Sequence, residues 1–205
     1  MSGTSVLVDV ITASKNVKHF VFSSSCATYG NLPESAMPIT ETTLQKPVSP
    51  YGLSKLRAEK IILQRLTGEA RVGDTKVAIL RYFNVIGSDA EGRIGPVDRP
   101  FLRRYSRIVD VALDAAMGTV DKVKMFGGGK TIRDYIHVSD LVEAHMLVGS
   151  ALTQASRLGS TDALIYNVGV GKGYSVADIV EAAEKVVGKE IPKMMVEAMR
   201  PGDPM

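Results

Sequence analysis

At 205 residues the chain is long enough to bury a sizeable core, and it suits one domain or one domain plus a small lobe. Its 45% hydrophobic and 23% charged content is that of an ordinary soluble globular protein, and a net charge of +3 is too small to point to nucleic acid or a membrane surface. One cysteine, Cys26, excludes an internal disulfide; with no long apolar run and no basic-then-apolar N-terminus, the cytoplasm is the expected location.

In chain order, Val6, Leu7, Val10 and Ile11 stand at helical spacing and predict an amphipathic helix over residues 4–15. Residues 18–25 follow as a β-rich run that ends in Ser23, Ser24 and Ser25. A buried parallel strand reads this way, apolar first and polar where it emerges, and in open α/β sheets the ligand crevice lies outside the carboxyl ends of the strands. Residues 30–48 hold three prolines and no apolar period, so they form a loop.

Ser49 is a good N-cap and Pro50 then occupies the first helical position, so a helix is expected from there to about Thr67. Leu53, Leu56, Ile61, Leu63 and Leu66 are its apolar stripe. Tyr51 and Lys55 stand four apart and share one face. The partly positive helix end and the lysine both favour a phenolate. Moving a tyrosine from its usual pKa of about 10 to near 7, where it serves as a base, takes roughly 4 kcal/mol of differential stabilisation. The spacing by itself equally suits a surface tyrosine beside a solvated lysine.

Residues 76–83 predict the next strand, leading into Asn84, and strand–helix–strand in this order makes a parallel, right-handed βαβ unit. Residues 87–100 form a long loop rich in Gly, Pro and Asp. Phe101, Tyr105, Ile108 and Ala112 then predict a helix whose solvated face carries Arg103, Arg107, Asp110 and Asp114. Acids mixed among those arginines argue against nucleic-acid binding. Residues 123–126 and 132–138 are strand-like. The Gly127-Gly128-Gly129-Lys130-Thr131 segment between them is not a phosphate-binding P-loop, since Lys124 stands where the first glycine belongs. Ser139 is the expected N-cap of a helix to about Ala151, residues 163–169 form another strand, and Ser175 caps a helix from Val176 to Val187 that Gly188 stops. His19, His137 and His145 have no partners at metal-ligand spacing, so no metal site is expected, and Cys26 reads as a small packed residue.

Six segments together carry a resemblance: Val21-Phe22-Ser23-Ser24-Ser25, Pro50-Tyr51-Gly52-Leu53-Ser54-Lys55, Leu80-Arg81-Tyr82-Phe83-Asn84, Arg133-Asp134-Tyr135-Ile136-His137-Val138, Tyr166-Asn167-Val168-Gly169 and Arg200-Pro201-Gly202-Asp203. In this order the chain resembles the extended short-chain dehydrogenase/reductase family, and within it the UDP-glucose (UDP-galactose) 4-epimerases. The segment Ser23 to Gly30 and the stretch Asn84 to Arg107 resemble UDP-arabinose/UDP-xylose 4-epimerases.

The resemblance implies an α/β fold: part of a Rossmann-like, doubly wound parallel sheet over residues 1–84, and a small C-terminal α/β substrate lobe over residues 85–205, interleaved with it. It implies NAD as cofactor, a UDP-sugar as substrate, and a possible homodimer through helices such as the one carrying Tyr51. Tyr51 would be the acid/base. Lys55 would lower its pKa and hold the nicotinamide ribose, and Ser25 would relay the proton. Ser23, Tyr51, Lys55 and Phe83 would face the cofactor; Ser25, Asn84, Phe126, Arg133, Arg200 and Asp203 would face the substrate. Arginine forks suit a diphosphate.

The chain carries no Gly-x-x-Gly-x-x-Gly after a strand. The expectation is therefore a fragment of a longer epimerase, lacking roughly 80 to 100 residues of NAD-binding half, with an open sheet edge and little activity alone. A nucleotide-sugar decarboxylase and a non-catalytic sugar-nucleotide binding protein are the competing readings. Cys26 and Ala27, where a sugar dehydratase would carry an Asp-Glu pair, argue against dehydration.

Overall fold

The computed structural model describes residues 2–14, 16–69, 73–95, 107–157 and 163–198. The chain divides into two compact units: residues 1–83 with 140–169, and residues 84–139 with 170–203.

The first unit is built on a three-stranded parallel sheet in the order β1 (His19–Ser25), β2 (Lys76–Tyr82), β6 (Leu164–Val168). Five consecutive residues of β2, Val77 to Arg81, are buried, as expected of a strand covered on both faces. Alternation splits them. Val77 and Ile79 pack with Val8 and Ile11 of α1 (Ser2–Ala13) and with Ile62 and Leu66 of α2 (Pro50–Leu66). Ala78 and Leu80 pack against Val148 and Leu152 of α4 (Val138–Arg157). Helices thus lie on both faces of a parallel sheet, the doubly wound arrangement expected from the sequence.

The second unit holds β3 (Asn84–Ile86), β5 (Ile132–His137) and β7 (Gly173–Ser175) in the order β3-β5-β7, and a separate parallel pair of β4 (Val123–Phe126) with β8 (Lys193–Val196). β7 runs antiparallel to β5, so the parallel expectation holds for β1-β2-β6 but not throughout. Ala112, Ala115 and Ala116 of α3 (Ile108–Met117) form a core with Val123, Met125, Ile191 and Val180 of α5 (Val176–Val187).

Several boundaries differ from expectation, among them the end of α4, which runs on to Arg157 past the expected end near Ala151. Arg107 has extended backbone and is the N-cap of α3, so the helix begins at Ile108; Phe101 and Tyr105 lie outside the described residues. Helix α4 starts at Val138, one residue ahead of Ser139. The Ser139 hydroxyl lies against His137 Nδ1, which also accepts the Ser139 N–H at 3.2 Å, so the serine's partner is a side chain and not the helix end. Among the described residues no helix is long and apolar enough to cross a membrane.

Candidate active site

Two elements of the first unit converge at the carboxyl end of β1. The strand delivers its serines there because its apolar residues, Phe20 to Phe22, are drawn into the sheet's two cores. Helix α2 starts beside it, its first turn fixed by the Ser49 side chain, which accepts the Gly52 N–H at 3.1 Å, and by Pro50 at the first position. Gly52 lies directly against the Ala27 carbonyl, just after the strand. No side chain fits between, so the first turn of α2 closes on the strand end.

Tyr51, Lys55, Ser25 and Ser23 are brought together by this packing. Lys55 Nζ donates to the Ser23 carbonyl at 2.9 Å and lies 5.1 Å from the centre of the Phe22 ring and 5.8 Å from that of Tyr51. The Ser25 hydroxyl oxygen accepts the Ala27 N–H at 3.2 Å, and the Ser25 side chain is near enough to the Tyr51 phenol to favour its ionised form. Ser23 turns its hydroxyl the other way, 3.2 Å from His145 Nε2 on α4. His145 Nδ1 lies 2.8 Å from the Leu141 carbonyl, which accepts only, so Nδ1 carries a proton.

Burial raises the Tyr51 phenol above its ordinary value, and the Ser25 hydrogen bond pulls in the opposite direction by less. Burial also lowers the Lys55 ammonium. In the chain by itself, desolvation thus sets the direction at both groups. The cluster can still move a proton. The phenol is half-exposed, at 53%, while Ser25 beneath it is 8% exposed.

The residues fit one end of a dinucleotide. Lys55 spends one of its three N–H groups on Ser23, leaving two for ribose hydroxyls. A groove of about 280 Å³, lined by Phe22, Ser54, Lys55 and Ala58, runs beside it. Phe83, just past β2, donates its N–H to the Val168 carbonyl at 3.1 Å and so continues the β2–β6 ladder.

In the second unit, Asn84 opens β3, and its amide donates to the Asp134 carbonyl at 3.2 Å. Phe126 ends β4 and precedes the three-glycine turn; Arg133 lies in β5, with Nη1 donating to the Ile132 carbonyl at 2.7 Å. Arg200 and Asp203 lie outside the described residues.

Sequence reasoning missed Glu59 and Arg81. Glu59 is 1% exposed and Arg81 4%, and they form an ion pair at 2.8 Å. Two signals were present: an arginine inside the apolar run of β2, which requires a buried anion, and a glutamate four residues beyond Lys55 on the helix face that already carries Tyr51.

Residues 1–169 match the NAD dependent epimerase/dehydratase family. Among curated relatives, the probable UDP-arabinose 4-epimerase 3 of Oryza sativa subsp. japonica is 46% identical over 99% of this chain and 48% of its own length. The UDP-glucose 4-epimerase of Rhizobium leguminosarum bv. trifolii is 37% identical over 93% of this chain and 55% of its own length. The chain spans about half the length of the curated relatives it matches. Among solved structures, the UDP-glucose-4-epimerase of Stenotrophomonas maltophila, with bound NAD and formylated UDP-arabinopyranose, aligns with a TM-score of 0.85 at 31% identity, covering 99% of this chain and 58% of that one. The Brucella ovis UDP-glucose 4-epimerase in complex with NAD aligns at a TM-score of 0.83 and 34% identity, covering 99% of this chain and 59% of that one. A Rossmann-like α/β chain with a serine strand, Tyr51 and Lys55 at one sheet end, matched over residues 1–169, belongs to the NAD dependent epimerase/dehydratase family.

Proposed function

We propose that this chain supplies the acid/base centre and sugar-nucleotide contacts of an NAD-dependent UDP-sugar 4-epimerase. The observation that carries the reading is the Ser25–Tyr51–Lys55 cluster at the carboxyl end of β1, in a chain of this family. Tyr51 takes the proton of the sugar 4-hydroxyl and later returns it. Ser25 is placed to donate to the phenolate oxygen as that proton moves, since its own oxygen is already occupied by the Ala27 N–H. Lys55, pinned by the Ser23 carbonyl, holds positive charge beside the ring. When bound, NAD supplies a hydride acceptor for the sugar carbon and, as oxidised nicotinamide, additional positive charge beside the half-exposed phenolate.

In this reading residues 1–84 carry the cofactor side, with Ser23, Tyr51, Lys55 and Phe83, and residues 85–205 carry the substrate side. There Phe126 borders the sugar nucleotide, with Asn84 beside it at the end of the first segment, and Arg133, Arg200 and Asp203 grip its nucleotide part. Arginines suit a diphosphate because the guanidinium fork matches its oxygens. The UDP-glucose/UDP-galactose pair is the first substrate reading, placing the enzyme in galactose metabolism in the cytoplasm, with a homodimer as the assembly. The UDP-arabinose/UDP-xylose pair is the second. It is supported by higher identity to UDP-arabinose 4-epimerases, 46% against 37% for the UDP-glucose enzyme of Rhizobium.

The test is the protein expressed from its complete coding sequence, incubated with NAD and each of the four UDP-sugars, with products separated chromatographically. Interconversion within one or both pairs is expected, with Tyr51→Phe slower by on the order of 100-fold or more. No interconversion of any pair, or full activity in Tyr51→Phe, would overturn the reading.

A further inference from the structure

Behind the Tyr51–Ser25 pair lies a second polar cluster that touches neither the sugar nor the cofactor in the proposed reaction. Its centre is the Glu59 carboxylate. Oε2 accepts from Arg81 Nη2 at 2.8 Å and from Gln45 Nε2 at 3.0 Å, and Arg81 Nε lies 3.2 Å from both oxygens. Ser24 Oγ donates to Oε1. Arg81 Nη1 donates to the Tyr29 hydroxyl at 2.9 Å and to the Glu41 carbonyl at 3.0 Å. Tyr29, wholly buried, donates its hydroxyl hydrogen bond to Asn167 Oδ1 at 2.7 Å. Asn167 in turn holds the Ile39 carbonyl at 3.0 Å, and its N–H donates to Glu41 Oε1 at 2.7 Å.

The cluster's members are placed for leverage. Glu59 is two turns along α2 from Tyr51, on the same face as Lys55. Ser24 adjoins Ser25 in β1. Arg81 pairs with Ser24 across the β1–β2 ladder. Tyr29 closes the turn that follows Ser25, and Gln45 and Glu41 belong to the segment that delivers the chain to Ser49 and the start of α2. One carboxylate and one guanidinium thereby tie the strand that carries Ser25 to the helix that carries Tyr51.

Burying such a pair does not by itself favour the fold. Desolvating two charges offsets their attraction, and apolar replacements of similar volume are often neutral or stabilising. What a buried ion pair held by this many hydrogen bonds does supply is fixed geometry.

We propose that Glu59 and Arg81 are positioning residues that set the register of Tyr51 against Ser25. The proposal rests on the 4-epimerase reading for its effect on turnover, and on geometry alone for its effect on the Tyr51 hydroxyl.

The experiment compares Glu59→Gln, Arg81→Met and the double variant Glu59→Met/Arg81→Met, in the protein expressed from its complete coding sequence. Three quantities are measured: urea midpoint, kcat and KM for the UDP-sugar, and the alkaline titration of Tyr51. The last is read from tyrosinate absorbance by subtracting the Tyr51→Phe form of each variant, which removes the other six of the chain's 7 tyrosines. The single variants leave an unpaired buried charge or a mismatched amide and lose stability. The double variant recovers stability. If the pair only supports the fold, kcat and the titration recover with it. If it positions, kcat of the double variant stays about 10- to 100-fold low with KM changed by less than about twofold, and Tyr51 titrates higher as the Ser25 bond lengthens. A double variant with wild-type midpoint, kcat and titration overturns the proposal. Should the double variant fail to fold, Ser24→Ala removes only the link between β1 and Glu59; an upward move of the Tyr51 titration there supports positioning, and an unmoved titration overturns it. A wild-type protein inactive on every UDP-sugar would defeat the 4-epimerase reading, while the titration would still decide this one.

Discussion

A methyl group placed on Gly52 would lie 2.3 Å from the carbonyl oxygen of Ala27. The contact is backbone against backbone, so no rotamer change relieves it. Gly52→Ala must therefore push the first turn of α2 away from the strand end, moving Tyr51 away from Ser25. The expected result is a loss of about 1–3 kcal/mol, as for other overpacked sites, read from the urea midpoint. Turnover should fall by more than the population of unfolded protein explains.

Ser25→Ala removes the hydrogen bond that opposes burial at Tyr51. The phenol should then titrate at higher pH than in the wild type, measured by tyrosinate absorbance against a Tyr51→Phe control. In activity the base-dependent limb of the kcat/KM profile should move to higher pH in the same direction. A limb that stays in place would assign it to another group.

Burial raises the phenols of both Tyr29 and Tyr51 above their ordinary value. The folded chain thus holds these protons more tightly than the unfolded chain. Their contribution to stability is complete below the unfolded value of about 10 and is lost as pH rises through the higher folded values. Lys55, lowered by burial, acts with the opposite sign, but its contribution is complete by its unfolded value of about 10.4. Urea midpoints should therefore fall as pH rises beyond about 10.5, and the fall should be shallower in Tyr51→Phe.

In the second unit, Asp134 accepts the Val170 N–H at 2.9 Å and the Gly171 N–H at 2.7 Å, one on each carboxylate oxygen. Charged hydrogen bonds of this kind contribute about 1.5–3 kcal/mol each when well shielded, and these are partly exposed. Asp134→Ala should cost about 1–2 kcal/mol by that measure, and hydrogen exchange at Val170 and Gly171 should quicken before that of neighbouring strands.

The elements with strong local signals were legible in the sequence. Helix α5 lies where Ser175 and Gly188 mark it, with Asp178 completing a capping box and Gly188 in the left-handed region. Helix α2 likewise begins after Ser49 and ends with Thr67 as its cap. The short strands β3, β7 and β8 were not legible, because three or four residues show no period and are fixed by their partners across the ladder. Helix α3 looked longer because Phe101, Tyr105 and Ile108 fit a helical stripe, yet Arg107 between them is extended; periodicity alone does not register a break in backbone angle. At the site, the placement of Ser25, Tyr51 and Lys55 together followed from strand end and helix start. The partial burial of Tyr51 did not, because charge is visible in sequence and desolvation is not. Leu53, read as part of the packed stripe, is partly exposed, and Glu59 is buried instead: the buried face of α2 follows the arginine in β2, not apolar spacing alone.

The sheet of the first unit also imposes an order on its own completion. β2 pairs with β1 early in the chain, but its other edge pairs with β6, through contacts such as Ala78 with Leu164. Residues 84–139 belong to the other unit and leave the ribosome in between. At about 5–20 residues per second, β2 then waits several seconds with one row of backbone donors and acceptors unpaired. Over that interval the nascent chain presents an aggregation-prone edge, and a slow codon cluster ahead of β6 would lengthen it. Yield in the cell is thereby tied to the pace of translation through residues 84–163, a dependence that the stability of the finished sheet does not reveal.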